Sequence, residues 1–200
     1  PSFAQNNQLQ KINKTIPKTG EPLASIGMGT WLTFDIGHNT EDVKTRTKIV
    51  KQFFQDGGSL IDSSPMYGSA EKIIGICLKN INQNNKLFSA TKVWTPVTKH
   101  GEQQIKNSFD LWGQDQFSLI QVHNLVNYKD HLEKLSNLKQ QKKIKYIGVT
   151  TSHGNKHKLL IDIMNKEDID FVQFTYNILD DEAEQKLLPL AKEKKNSRYC

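Results

Sequence analysis

The stretch Gly27-Met28-Gly29-Thr30-Trp31 decides between two folds for this sequence. It covers the end of the first strand predicted for the regular pattern, at residues 25–29, and the start of the loop that follows. At that place a doubly wound, dinucleotide-binding sheet carries G-x-G-x-x-G between its first strand and its first helix. The glycine spacing here does not match that pattern, and a long loop follows before the first helical pattern. The spacing therefore argues against a doubly wound sheet.

Outward from this stretch, short apolar runs alternate with amphipathic helical patterns. Strands are predicted at residues 25–29, 60–62, 87–92, 117–122, 144–149 and 171–175, and helices at residues 41–55, 70–81, 101–112, 128–140, 156–165 and 182–194. Strands and helices in strict alternation imply parallel strands with right-handed crossovers. The sequence thus predicts an α/β protein of the (β/α)8 TIM-barrel type, with about six of the eight βα units present in this chain.

The two ends of the chain differ from this regular pattern. Residues 1–18 are predicted to be an N-terminal extension and residues 19–200 a barrel that is incomplete at its C-terminal end. The extension is either the remnant of an export signal, because Ser2 and Ala4 fit a cleavage site, or a disordered start. Residues 12–16 and 22–24 are predicted to form a β-hairpin outside the barrel. No strand is expected after the last helix, and a frameshift in the run of lysine codons would explain such an end.

Composition limits the class of protein. The chain has 200 residues, 36% of them hydrophobic, which suits one domain. Its net charge is +6, but the lysines are mixed with acidic residues, which favours a solvated surface over a nucleic-acid site. No apolar stretch is long enough to span a membrane, so we expect a soluble protein, cytoplasmic or, if residues 1–4 end a signal peptide, periplasmic. Cys77 is predicted to be a core thiol.

A metal site has one weak candidate. His153 and His157 share an i, i+4 spacing that could suit zinc. No Glu or Cys nearby completes a ligand set, so we predict no metal.

Polar, titratable residues stand where successive predicted strands end. Catalytic groups of a β/α barrel lie at the C-terminal ends of its strands and in the loops that follow. Asp62 ends the second strand and Tyr67 lies in the next loop, Lys92 ends the third strand, and His123 follows the fourth. Each of these residues alone is more often structural. Their occurrence at successive strand ends predicts an active site at one mouth of the barrel.

These four side chains suit the reduction of a carbonyl. Its oxygen gains negative charge as hydride arrives and needs a proton donor, which the Tyr67 hydroxyl can be. A nearby Lys92 ammonium would stabilise the phenolate. Asp62 would pair with that ammonium and keep it charged. His123 would donate a hydrogen bond to the carbonyl oxygen.

The sequence around Asp62 resembles the aldo-keto reductase family. The segment Ile61-Asp62-Ser63-Ser64-Pro65-Met66-Tyr67-Gly68-Ser69-Ala70-Glu71, with Gly75, is similar to the family signature I-D-[TS]-[AS]-x-x-Y-G-x-x-E-x-x-x-G. Ala90-Thr91-Lys92-Val93 and Gln121-Val122-His123-Asn124 are similar to the family's lysine and histidine strands. The resemblance extends from about residue 19 to residue 194.

The resemblance implies an oxidoreductase that reduces an aldehyde or ketone with NADPH or, as an alternative, NADH. Tyr67 would be the general acid, tuned by Lys92 and Asp62, and Tyr67, His123 and Trp31 would contact the substrate. Residues implied to contact the cofactor are Thr30, Asp62, Thr150, Thr151, Gln173 and Tyr176. Among these, Thr150, Thr151 and Gln173 would hold the nicotinamide carboxamide, and Tyr176 would stack on its ring. The pair Thr150-Thr151 departs from the family's common Ser-Asn, so Thr151 lacks the usual amide.

Other functions remain open at this point. The same fold could be a regulatory module that senses the cofactor, or an inactive fragment of a reductase. Cofactor binding distinguishes the fragment from the other two, and turnover distinguishes the enzyme from the sensor. The expected partner is a small-molecule carbonyl compound, with Trp31, Trp94 and Phe34 predicted to form an apolar mouth. The oligomeric state is not predicted.

Overall fold

A computed structural model describes residues 12–37, 39–81, 87–152, 156–179 and 181–199. Seven parallel strands curl into a partial barrel and are hydrogen-bonded in chain order, which confirms the predicted β/α arrangement. A separate hairpin contributes β1 (Asn13–Thr15) and β2 (Pro22–Ala24). The strands of the sheet are β3 (Met28–Gly29), β4 (Leu60–Asp62), β5 (Phe88–Val93), β6 (Phe117–Val122), β7 (Ile144–Thr150), β8 (Phe171–Gln173) and β9 (Ser197–Tyr199). The helices are α1 (Thr40–Gln55), α2 (Ala70–Ile81), α3 (Thr98–Trp112), α4 (Tyr128–Gln140), α5 (His157–Lys166) and α6 (Leu187–Glu193).

The prediction that no strand follows the last helix is wrong. Strand β9 pairs in parallel with β8, with Ser197 opposite Phe171. Asn196 leads into it, because its side-chain amide donates to the carbonyl of Ile169 at 2.5 Å. The backbone amide of Ser197 then donates to the carbonyl of Asp170 at 2.7 Å. Backbone pairing therefore forms a seventh strand from residues without an apolar run, and the missing strand behind the frameshift hypothesis is present.

The last predicted helix is divided. A 3₁₀ turn covers Glu182–Glu184, and α6 begins only at Leu187. Pro189 explains the break, because proline has no N–H and is tolerated in the first turn of a helix but not in its interior. A helix over residues 182–194 would have placed Pro189 in its interior.

The larger of two cores lies between the sheet and the outer helices. It contains the outward-facing strand residues, such as Ile61, Ile120 and Val149. Gly75 lets α2 approach α3 closely, since a Cβ there would lie 1.9 Å from the carbonyl oxygen of Leu111. Cys77 is fully buried in this core, as predicted, and burial raises the pKa of its thiol.

The smaller core fills the floor of the barrel. Side chains alternate along a strand, so every second residue faces the barrel axis. Phe88, Tyr146 and Phe171 meet there, with the rings of Tyr146 and Phe171 centred 5.4 Å apart. The predicted hairpin, β1 (Asn13–Thr15) with β2 (Pro22–Ala24), is present as an antiparallel pair. Its Ile16 is buried in this same core, so the hairpin closes the floor. The predicted boundary at residues 18 and 19 falls between β1 and β2 and stays a prediction.

Polar contacts hold the hairpin to the floor. The Glu21 carboxylate accepts hydrogen bonds from the Lys145 ammonium and the Tyr146 hydroxyl, both at 2.5 Å. Thr19 lies 2.9 Å from the same hydroxyl. Burial, reinforced by Glu21, raises the pKa of Tyr146 to about 12, so this hydroxyl stays protonated and donates. The Lys18 ammonium adds an ion pair with Asp168.

The sheet is open between its edge strands β3 and β9. A cleft of about 630 Å³ follows this opening, from Ile16 and Phe171 at the floor to Asp62 and Gln173 near the mouth. No helix in the described part of the chain is long and apolar enough to cross a membrane. No group of three His, Cys, Asp or Glu within that part could hold a metal ion, and His153 lies outside the described residues.

We expect Tyr146→Phe to lower the free energy of unfolding by about 1.5–3 kcal/mol, the range for a hydrogen bond to a charged group. Tyr128→Phe on α4 is the matched control, because its hydroxyl has no hydrogen-bond partner among the described residues. Urea unfolding of both variants checks the expectation. An equal, small loss in both would contradict a stabilising role for the contact with Glu21.

Candidate active site

A buried ion pair lies near the mouth of the barrel. Lys92 is on the inner face of β5, one inward position beyond Ala90, which pairs in register with Asp62. The Lys92 ammonium is 2.5 Å from Asp62 Oδ2 and donates to the carbonyl of Ser63 at 2.9 Å. Lys92 is only 1% exposed. An ammonium removed from water needs a partner to remain charged, and Asp62 is that partner.

Tyr67 lies over this pair. The Lys92 ammonium is 5.2 Å from the centroid of the Tyr67 ring, within cation–π distance. The loop that carries Tyr67 is fixed by Asp35, whose Oδ1 accepts from both the backbone amide and the hydroxyl of Ser69 at 2.8 Å. The aromatic ring of Tyr67 is thus held beside a buried positive charge.

Glu71, the signature glutamate, anchors the helix that follows this loop. It is 3% exposed and accepts hydrogen bonds from the side chains of Thr91, Ser108 and Trp112, at 2.6, 3.0 and 3.1 Å. Burial raises the pKa of this carboxyl, although all three hydrogen bonds oppose that shift. Glu71 therefore ties α2 to β5 and α3 through side-chain hydrogen bonds.

His123 follows β6 and is half-buried. Burial, and then the positive charges of Lys92 and Lys156, lower its pKa to about 4. The imidazole is therefore neutral near pH 7 and carries one N–H. Its Nδ1 lies 2.6 Å from the hydroxyl of Thr150 on β7.

The ends of β7 and β8 carry two buried polar atoms without partners among the described residues. They are the Thr151 hydroxyl and the Gln173 side-chain carbonyl oxygen. The backbone amide of Thr151 donates to the carbonyl of Gln173 at 2.9 Å, which holds the two residues side by side. Buried polar atoms are normally satisfied. A donor and an acceptor in this position fit the two ends of a primary amide, such as a nicotinamide carboxamide.

The remaining residues named from the sequence have different surroundings. Thr30 is fully buried, and its hydroxyl donates to the carbonyl of Asp62 at 2.9 Å, which joins β3 to β4. Trp31 is exposed at the mouth. The Tyr176 hydroxyl donates to Glu184 at 2.5 Å.

Phe34 does not line the mouth, which corrects the prediction. It is 3% exposed and belongs to the larger core. The chain turns back after β3, with Leu32 in the left-handed region at φ 60° and the amide of Phe34 bonded to the carbonyl of Thr30. This local turn could not be read from an apolar pattern.

Sequence reasoning missed a group of residues around Asn124. This residue has φ 52°, in the left-handed region where asparagine is favoured. Its side-chain oxygen accepts from the amide and the hydroxyl of Ser152, both at 2.8 Å. The Lys156 ammonium donates to its carbonyl at 2.6 Å. An asparagine directly after the predicted histidine was the available signal for a fixed turn.

Comparisons with known proteins also indicate an aldo/keto reductase. The family model described as the aldo/keto reductase family matches residues 25–198. Aldo-keto reductase YhdN of Bacillus subtilis (strain 168) is 27% identical over 196 residues, covering 90% of this chain and 58% of that protein. Aldo-keto reductase str7 of Strobilurus tenacellus is 29% identical over 149 residues, covering 66% of this chain and 44% of that protein. The chain thus spans about half the length of these relatives.

Solved structures show the same fold. The holo form of aldo-keto reductase AKR11C1 from Bacillus halodurans superposes with a TM-score of 0.78 at 20% identity, covering 94% of this chain and 65% of that one. An aldo/keto reductase from Klebsiella pneumoniae, in complex with NADP and acetate, gives 0.74 at 17% identity, covering 90% and 64%. A family match over residues 25–198, with the partial barrel and its Lys92–Asp62 pair, means that this chain belongs to the aldo/keto reductase family.

Proposed function

We propose that this protein is an NADPH-dependent reductase of aldehydes or ketones, with Tyr67 as the general acid. The observation that carries the proposal is the buried Lys92–Asp62 pair, with its ammonium 5.2 Å from the Tyr67 ring centroid. A related structure holds NADP, and another is described in complex with NADPH, which supports this choice of cofactor.

The proton comes from Tyr67. When bound, the reduced nicotinamide supplies the hydride. The Tyr67 hydroxyl gives its proton to the carbonyl oxygen of the substrate as that oxygen becomes negative. The phenolate that remains lies beside the Lys92 ammonium, which stabilises it. Asp62 holds the ammonium in place, so no reorganisation is needed when the charge develops.

His123 orients the carbonyl. Because its imidazole is neutral near pH 7, it donates one hydrogen bond to the carbonyl oxygen without competing with Tyr67 as a proton source. Such a hydrogen bond would polarise the carbonyl and help to orient it.

The cofactor and substrate would occupy different parts of the mouth. The Thr151 hydroxyl and the Gln173 carbonyl oxygen would hold the carboxamide together with Thr150. Tyr176 would stack on the nicotinamide ring, and Asp62 would also contact the cofactor. Trp31, Met66 and Trp94, which follow β3, β4 and β5, are exposed at the rim. This apolar rim favours a carbonyl compound with an apolar substituent.

We expect NADPH to quench the Trp fluorescence of the purified chain saturably, and cofactor absorbance to fall when a reactive aldehyde is added. Tyr67→Phe should keep cofactor binding but lose about 10²–10⁴-fold in kcat, the contribution of a positioned general acid. Tyr128→Phe is the control and should keep full turnover. Turnover that persists in Tyr67→Phe would contradict the assigned acid, and absence of binding to both NADPH and NADH would contradict the cofactor.

The ion pair can be tested separately from catalysis. Lys92→Met should lower the free energy of unfolding by about 3–5 kcal/mol, because it leaves a buried carboxylate without its ammonium. The double variant Asp62→Asn/Lys92→Met should recover much of that stability yet stay inactive. Thermal unfolding and turnover of both variants check this. An active double variant would show that the pair is not needed for the reaction.

The free energy of unfolding should depend on pH through the lowered pKa of His123. Its pKa is about 4 in the folded state and 6.5 in an unperturbed histidine, so the unfolded chain takes up the proton first. The contribution of His123 to the free energy of unfolding is therefore fully present above pH 6.5 and is lost as the pH falls toward 4. His123→Gln should remove this component, whereas His100→Gln, at an exposed position, should not. Urea unfolding across this pH range measures it, and parallel curves for wild type and His123→Gln would exclude the buried neutral histidine.

A further inference from the structure

Thr150 has a buried hydroxyl between two groups of the neighbouring strand end. Its Oγ1 lies 2.6 Å from His123 Nδ1 and 3.3 Å from the backbone nitrogen of Asn124. The residue is 1% exposed, so water does not compete for these contacts. Strands β6 and β7 set the distance, because Val122 and Val149, the residues just before, are paired in register.

Satisfying the buried hydroxyl hydrogen within the protein assigns a direction to both bonds. The backbone N–H of Asn124 can only donate, so the Thr150 oxygen accepts from it. The hydroxyl hydrogen then needs an acceptor, and within the described part of the chain His123 Nδ1 is the acceptor in range. A neutral imidazole that accepts at Nδ1 carries its proton at Nε2.

We propose that Thr150 is a positioning residue that holds His123 in the Nε2–H tautomer and thereby supplies the hydrogen bond to the substrate carbonyl. The proposal rests on the proposed carbonyl reduction for its chemical purpose, but the tautomer itself belongs to the protein alone. Thr150 acts through His123 and does not need to touch the substrate. Its second lone pair remains available, so the cofactor contact predicted from the sequence is compatible with this role.

Asn124 is the first donor in this chain of hydrogen bonds. Its left-handed backbone, at φ 52°, directs the N–H back toward β7. Ser152 and Lys156 fix this conformation through the side-chain oxygen and the carbonyl of Asn124. The direction of hydrogen bonding thus runs from the Asn124 amide through the Thr150 hydroxyl to the imidazole.

The test is the tautomer of His123 in the protein without cofactor or substrate. Two-dimensional ¹⁵N–¹H NMR of the ¹⁵N-labelled chain near neutral pH distinguishes a protonated from an unprotonated ring nitrogen. The signal of His123 is identified by its loss in His123→Gln. We expect protonation at Nε2 and a hydrogen-bonded, unprotonated Nδ1. Protonation at Nδ1 in the wild-type protein would overturn the proposal.

Three variants test the part played by the hydroxyl. Thr150→Val keeps the shape of the side chain and should shift the Nδ1 resonance and populate the second tautomer. Thr150→Ser restores a hydroxyl and should return the wild-type resonances. Thr151→Val removes the hydroxyl of the next residue and should leave the tautomer unchanged. An unchanged His123 spectrum in Thr150→Val would overturn the proposal.

Kinetics separate this inference from the proposed function. If the protein reduces a carbonyl, Thr150→Val should lower kcat roughly tenfold, about the effect of one hydrogen bond, and Thr150→Ser should recover it. A protein without turnover that still shows the Nε2–H tautomer and its loss in Thr150→Val would refute the reductase and leave the positioning role intact. Turnover with an unchanged tautomer in Thr150→Val would refute the positioning role and leave the proposed reductase intact.

Discussion

The rest of the site depends on one buried positive charge, the Lys92 ammonium. Removing such a group from water costs several kcal/mol, so the surrounding structure must hold its partners in place. These partners are the Asp62 carboxylate and the Ser63 carbonyl, which lie at the end of β4, the strand beside β5. The parallel register of β4 and β5 therefore determines where the charge finds its partners.

The inner face of the barrel changes character from floor to mouth. Along β5 the inward residues are Phe88, Ala90 and Lys92, and along β7 they are Tyr146, Gly148 and Thr150. Large aromatic residues therefore close the floor, small residues fill the middle, and polar residues reach the mouth. Gly148 is needed in this series, since a Cβ there would lie 3.0 Å from atoms of both Gln121 and Phe171. The same period of two that builds the sheet thus places the apolar seal below and the chemistry above.

The sequence predicted this arrangement where local pattern decides it. Alternation of strands and helices predicted the parallel sheet, and the positions just after apolar runs predicted Asp62, Lys92 and His123 as neighbours at one end. It did not predict β9, which forms by backbone pairing beside β8 without an apolar run of its own. The contact between His123 and Thr150 was also missed, because it joins residues 27 positions apart through the register of β6 and β7. Such contacts depend on how the elements pack, and no local pattern records them.

Electrostatics make the site a single unit. The ammonium that would stabilise the Tyr67 phenolate also helps to keep His123 neutral, because a second positive charge nearby is unfavourable. A neutral imidazole has only one N–H, so its usefulness depends on which nitrogen holds the proton, and that choice falls to a neighbour such as Thr150. Burial and the Lys92 charge therefore keep His123 neutral, whereas Thr150 selects which ring nitrogen holds the proton. The two controls are independent, since one acts through space and the other through a single hydrogen bond, and a donor aimed at the carbonyl requires both.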